Sequence, residues 1–229
     1  MKLQKETNTK THGRWYADAC GTAFALELVG ERWSLLIVRE LMLGPRRFSD
    51  LRASLPGISA KVLTERLTSL EEAGVLARRA LPPPAASRVY ELTPWGYAAE
   101  PAIQELGRWA AQSSAHDPLL PLSPVSLMLS LRTMFDPVKA AGMAARIGFV
   151  VAGEAFLGEM SDGRLPIRRT AEAEGQAILR APAAPVLAAL FYAKFPAVGL
   201  ERDAGLVIEG DRALALRFAD IFELPPKMG

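Results

Sequence analysis

Two helix-stopping pairs set close together, Gly44-Pro45 and Pro56-Gly57, constrain this chain more than any other feature, because only a short helix fits between them. The flanks have a helical period. Phe24 and Leu28, then Trp33, Leu36, Ile37 and Leu41, recur at spacings of three and four, with Gly30 marking a break between two helices. Ser49 to Leu55 fits a third, short helix. Beyond Pro56-Gly57, Ser59 has the chemistry of an N-cap, and Ile58 and Leu63 hold the N′ and N4 positions of a hydrophobic staple. The helix that follows carries Leu63, Leu67 and Leu70 on one stripe, puts Lys61, Thr64, Glu65 and Thr68 on the opposite face, and closes at Gly74. Strand-like runs Val75 to Ala80 and Arg88 to Leu92 flank an exposed loop whose three prolines, Pro82, Pro83 and Pro84, forbid a ladder. Thr93-Pro94 restarts a helix with threonine as cap and proline at its first position; it runs toward Trp109, bent or broken near Pro101.

This order is helix, helix, helix, tight turn, capped helix, hairpin, helix: a helix-turn-helix followed by a wing. A helix that enters the major groove exposes short polar and basic side chains near its N-terminal half, which Ser59, Ala60, Lys61, Thr64, Glu65 and Thr68 satisfy. Arg46, Arg47 and Arg52 lie on the neighbouring turn and helix, where phosphate contacts fix orientation, and Arg78, Arg79 and Arg88 lie at the hairpin. The net charge of +2 hides a division that agrees with this. Residues 1–115 hold 15 basic and 12 acidic side chains against 12 and 13 in residues 116–229, and Arg32 to Arg88 alone holds ten against five. The bland alternative is a solvated helix face with ordinary surface arginines.

The remaining organisation divides as a disordered tail (1–14), the winged domain (15–115), a linker (116–124) containing Pro118, Pro121 and Pro124, and a second domain (125–229). In the last, Val125 to Phe135 and Val138 to Ile147 read as helices, and Pro185 to Tyr192 as another. Gly148 to Val151, Ala155 to Met160, Pro166 to Thr170, Gly175 to Leu179, Gly205 to Ile208 and Ala213 to Phe218 read as strands. Helices and strands are segregated, so the expected fold class is α+β in two domains: a mostly α winged helix-turn-helix, then an α+β domain with a mainly antiparallel sheet. Leu127, Met128, Leu131, Phe135, Phe149, Phe156, Leu187, Phe191 and Phe195 are candidates for an apolar ligand pocket, with an ordinary core as the competing reading.

Composition narrows the function classes. Half of the 229 residues are hydrophobic and 23% are charged, which excludes an intrinsically disordered chain. One cysteine, Cys20, allows neither an intramolecular disulfide framework nor a cysteine-rich zinc site and fits a reducing compartment. The polar start Met1 to Lys10 has no signal-peptide pattern, and the most apolar stretch, Ala181 to Ala193, is interrupted by prolines and too short to span a bilayer, so a cytoplasmic chain without membrane association is expected. With two histidines and no nucleophile, zinc, dinucleotide or phosphate-loop motif, neither an enzyme nor a bound cofactor or metal is expected.

Residues 15–112 resemble the HxlR-type winged helix-turn-helix regulators, relatives of the MarR fold. The likeness rests on Cys20, on Gly30-Glu31-Arg32-Trp33, and on Leu35 to Leu41. It continues through Gly44-Pro45-Arg46-Arg47-Phe48-Ser49-Asp50-Leu51, Gly57-Ile58-Ser59, Leu63 to Leu67, Leu70 to Val75, Arg88 to Thr93 and Trp109. Gly21 stands where the family often has proline, and the wing tip lacks charge, leaving the arginines at its base as the better contacts. The resemblance implies a homodimer joined through the first and last helices of the domain, with two reading helices on a two-fold-related DNA operator. It also makes Cys20 a candidate redox sensor, against the ordinary reading of a buried structural thiol. Residues 122–225 resemble a sterol-carrier-protein-like domain, through Phe149-Val150-Val151, Phe156 to Gly163, Gly205 to Asp211 and Phe218 to Phe222. That resemblance implies a five-stranded sheet under helices and an apolar effector. Together these give a dimeric transcriptional regulator tuned by an apolar small molecule; the alternative is a hydrophobic-ligand carrier whose winged domain is a protein-interaction module.

Overall fold

The computed structural model describes residues 16–80, 87–118 and 120–228; the tail expected at 1–14 and the proline-rich wing tip lie outside them. The chain forms two compact units that divide after Glu100.

In the first unit, α1 (Gly21–Val29) ends at Gly30 and α2 (Ser34–Leu41) follows. Helix α3 (Phe48–Ser54) precedes a turn in which Gly57 adopts φ +90°, a left-handed conformation that favours glycine. Helix α4 (Ala60–Glu72) starts where Ser59 Oγ accepts from the Val62 N–H at 3.2 Å. Leu63, Leu67 and Leu70 are buried, as their stripe predicts, and pack with Ile37, Leu41 and Leu51 in the unit's core. Strands β1 (Leu76–Ala80) and β2 (Arg88–Leu92) pair antiparallel with Leu76 opposite Leu92. Thr93 caps α5 (Pro94–Tyr97) by accepting from the Gly96 N–H at 3.1 Å. The interruption expected near Pro101 falls at Ala98 and Ala99, before α6 (Glu100–Ala111).

The second unit takes in α6 and runs on through α7 (Pro124–Thr133), β3 (Ala145–Val151), β4 (Glu154–Met160), β5 (Ile167–Thr170) and β6 (Ala177–Ala181). Helices α8 (Ala184–Phe191) and α9 (Ala197–Asp203), strand β7 (Val207–Gly210) and α10 (Arg212–Ala219) complete it. The sheet order is β5-β4-β3-β6-β7; three pairings are antiparallel and β3–β6 is parallel, so the sheet is mixed and mainly antiparallel. Phe149, Phe191, Phe218 and Phe222 are buried and pack ring to ring, with centroids 5.0–6.4 Å apart.

Two sequence assignments are corrected here, and one helix is added. Ala213 to Phe218, expected as a strand, lies in α10. Asp211 Oδ1 accepts from the Leu214 N–H at 2.9 Å, and Leu214, Ala215, Phe218 and Ala219 form a helical buried stripe. Val138 to Ile147, expected as a helix, contains turns broken by Gly142 and then joins β3 from Ala145, where Ile147, Phe149 and Val151 all point into the core. Helix α9 was not anticipated; Pro196 precedes it and Leu200 anchors it.

Candidate nucleic-acid interface

Burying one leucine stripe of α4 forces the other face outward. Ser59, Ala60, Lys61, Thr64, Glu65 and Thr68 are all exposed, so the polar face expected to meet DNA is not packed against the protein's own first unit. Lys61 stands 87% exposed and 4.0 Å from Glu65, an i,i+4 surface pair that costs little to open. The Thr64 hydroxyl donates to the Ala60 carbonyl at 2.9 Å, leaving its lone pairs outward.

The arginines divide into three groups. Arg47 at the head of α3, Arg52 in its last turn and Arg88 at the hairpin are exposed and have no ion-pair partner among the described residues. Arg78 and Arg79 are engaged at the surface. Arg78 reaches Glu71 at 3.4 Å and lies over the Tyr90 ring at 5.4 Å, while Arg79 Nε reaches Glu91 at 2.8 Å. Arg46 departs from expectation. It is buried, its guanidinium donates to Ser54 Oγ at 3.0 Å, and its backbone exchanges two hydrogen bonds with Tyr90, at 3.0 and 2.8 Å. It joins the wing to α3 and does not stand with the outward-facing arginines. The pairing that withdraws it spans the chain from 46 to 90, and no local pattern announces it.

Cys20 is exposed at the head of α1, which corrects the buried-thiol reading. Hydrogen bonds from the Thr22 backbone N–H and hydroxyl, and from the Ala23 N–H, hold its thiol below the ordinary value. In the second unit, Leu127, Met128, Leu131, Phe149, Phe156, Leu187 and Phe191 are brought together in one buried core, and half-buried Phe135 touches it through Phe222 at 6.4 Å. Phe195 does not join them: it follows α8 in an exposed loop, 58% accessible. Among the described residues no group of three or more histidines, cysteines or carboxylates could hold a metal, and no helix is long and apolar enough to cross a membrane.

A side chain that sequence reasoning passed over is Arg66, on the flank of α4 between the buried stripe and the open face. It donates Nε to the Arg32 carbonyl at 3.2 Å and pairs with Glu31 at 3.0 Å. Its spacing of three from Leu63 was the available signal.

The sequence is similar to those of known proteins. The sequence model described as HxlR-like helix-turn-helix matches residues 28–118, which leaves most of the second unit beyond the match. The HTH-type transcriptional regulator YodB of Bacillus subtilis is 41% identical over 88 residues, covering 38% of this chain and 79% of that protein. The HTH-type transcriptional regulator YtfH of Escherichia coli is 37% identical over 97 residues, covering 42% and 77%. A solved structure of YodB in its reduced form aligns at 37% identity over 44% of this chain and all of that one, with a TM-score of 0.39. On the breadth of these matches across the relatives' own lengths, the chain belongs to the HxlR-like helix-turn-helix family of transcriptional regulators.

Proposed function

We propose that this regulator binds an operator as a homodimer in the cytoplasm, laying α4 in the major groove of each half-site, with Arg47, Arg52 and Arg88 on the phosphates. The observation that carries the reading is the outward polar face of α4 together with three exposed arginines that have no ion pair among the described residues. In this reading Lys61 and Thr64, one turn apart at the N-terminal end, reach base edges; Ser59 caps the first turn, and Ala60 allows close approach. Arg78 and Arg79 add to the phosphate surface only by releasing Glu71 and Glu91, an exchange that is inexpensive at the surface.

In the same reading, the second unit takes an apolar effector. Its support is a five-stranded sheet with helices and an aromatic core, as the sterol-carrier-like resemblance implies. An effector changes DNA affinity only by preferring one spacing of the two reading helices. Cys20 is the position through which electrophiles would act, because its thiol is both exposed and acidified.

The test is duplex selection from a random pool by the full chain, followed by titration across salt. A preferred duplex whose affinity falls steeply with salt supports the regulator reading. Recovery of no preferred sequence, with salt-insensitive behaviour toward DNA, would instead favour a carrier with a protein-docking wing.

A further inference from the structure

The turn between α1 and α2 carries a strained residue that the DNA-reading proposal does not use. Trp33 has φ +81° and ψ −23°, left-handed backbone that a bulky side chain rarely adopts. Such a conformation persists only where its surroundings hold it. Here the holding groups are identifiable, and two of them belong to the helix-turn-helix. The Trp33 indole edge lies 3.9 Å from where a side chain on Gly57 would begin, against the turn that leads into α4. Two turns along α4, the Arg66 guanidinium donates to the Arg32 carbonyl at 3.2 Å and pairs with Glu31 at 3.0 Å. Arg32 in turn lies over the Trp33 ring at 5.2 Å.

We infer that Arg66 is the positioning residue of the reading helix: with Trp33, which packs on the Gly57 turn just before α4, it ties the helix to the α1–α2 turn and so sets the angle at which the polar face is offered to DNA. The inference rests on α4 being the helix that enters the groove. Ser59 and Arg66 lie seven residues apart, roughly 10 Å along the axis. Leu63, Leu67 and Leu70 hold α4 to the core by apolar contact, which has no direction, and a directional polar attachment two turns beyond the cap fixes the helix's roll and tilt. Arg66 suits the task because its planar fork meets a carbonyl and a carboxylate in a fixed geometry, whereas a lysine offers donors that turn freely about one nitrogen. Its side chain is only 20% exposed and turned toward Glu31, away from the outward face that holds Lys61 and Thr68. It therefore acts through the helix rather than by touching phosphate.

That distinction is measurable. The full chain, Arg66→Met and Arg66→Lys are titrated with a duplex recovered from a random pool by the wild type and with a scrambled duplex of the same length, each across a salt series. A positioning role predicts that Arg66→Met loses on the order of tenfold in preference for the selected duplex. The slope of log affinity against log salt stays at the wild-type value, and Arg66→Lys restores part of the preference. If the affinity of Arg66→Met falls in parallel for both duplexes, with the slope reduced by about one, Arg66 is a phosphate contact and the inference is overturned. An unchanged preference overturns it equally. Should Arg66→Met fail to melt cooperatively, Glu31→Gln decides, since Glu31 is 60% exposed. A smaller loss of preference at constant slope supports the inference, and none refutes it. Absence of any preferred duplex for the wild type is a different failure, that of the DNA-reading assignment itself.

Discussion

Both units pair arginines with carboxylates, among them Arg39, Arg66, Arg78 and Arg79 in the first, but they differ in where the pairs gather. In the second, Arg146 and Arg168 share Glu159 and Glu174 at 3.0–3.6 Å on the charged face of the sheet, and Arg180 meets Glu209 at 2.7 Å across β6 and β7. Arg169 pairs with Glu154, and Arg212 with Glu201. In the first unit Arg47, Arg52 and Arg88 stand exposed without a carboxylate among the described residues, beside a helix face that is polar and open. Cross-strand pairs neutralise the charged face of the second unit's sheet, although Arg164 and Arg217 stand exposed without a carboxylate among the described residues. In the first unit the exposed arginines lie instead on the helix-turn-helix and wing, where an external anion can satisfy them. The near-zero charge of the whole chain is thus a sum over two unlike surfaces, and only one of them has the character of a nucleic-acid interface.

The largest effect expected separates the units by stability. Phe191→Ala removes the ring at the centre of the Phe149, Phe218 and Phe222 cluster, at a cost of about 3–5 kcal/mol. Thermal unfolding followed by hydrogen exchange should show β3, β4 and β6 losing protection while α2 and α4 keep theirs. Equal loss in both units would break the comparison. Next in size, replacing Arg47, Arg52 and Arg88 together with glutamine should weaken DNA binding on the order of 10²-fold and reduce the salt slope by about three. The matched replacement of Arg146, Arg168 and Arg180 should leave both unchanged. If the second set weakens binding as much as the first, free and paired arginines are not the distinction that matters.

How much of this was legible follows the range of the interactions involved. The face of α4, its Ser59 cap and the two strand segments of the hairpin depend on neighbours a few residues away, so spacing alone disclosed them. Arg46 and Arg66 were misjudged or passed over because their partners, Ser54 and Tyr90 in one case and Glu31 and Arg32 in the other, assemble only through tertiary packing. In the second unit, Ala213 to Phe218 alternates small and large side chains as a half-buried strand would. The decisive sign was Asp211 capping a run rich in alanine and leucine, which favours helix. Phe195 looked like core by composition, yet it follows the end of α8, where Lys194 at φ +53° turns the chain and donates to the Ala219 and Phe222 carbonyls at 2.8 and 2.9 Å.

A smaller effect tests the cap that begins the reading helix. Ser59→Ala removes the acceptor of the Val62 N–H and should cost about 1 kcal/mol, while Ser59→Asp should retain it. Read by chemical denaturation, the loss should appear in the first unit alone. An equal loss for both variants would mean that the cap bond contributes nothing there.

The smallest effect concerns Cys20, where the first unit exposes the chain's one thiol. The amides of Thr22 and Ala23 and the Thr22 hydroxyl favour the thiolate, so its ionisation is displaced to lower pH than that of an ordinary cysteine. The sign follows directly: as pH falls, the folded chain keeps its thiolate after the unfolded chain has protonated. Alkylation by iodoacetamide, followed across pH by mass spectrometry, should therefore have its midpoint at lower pH in the native protein than in urea, and Thr22→Val should move the native midpoint part of the way back. Coincident midpoints would show that the head of α1 does nothing to the thiol, and Cys20 would then be an exposed cysteine like any other.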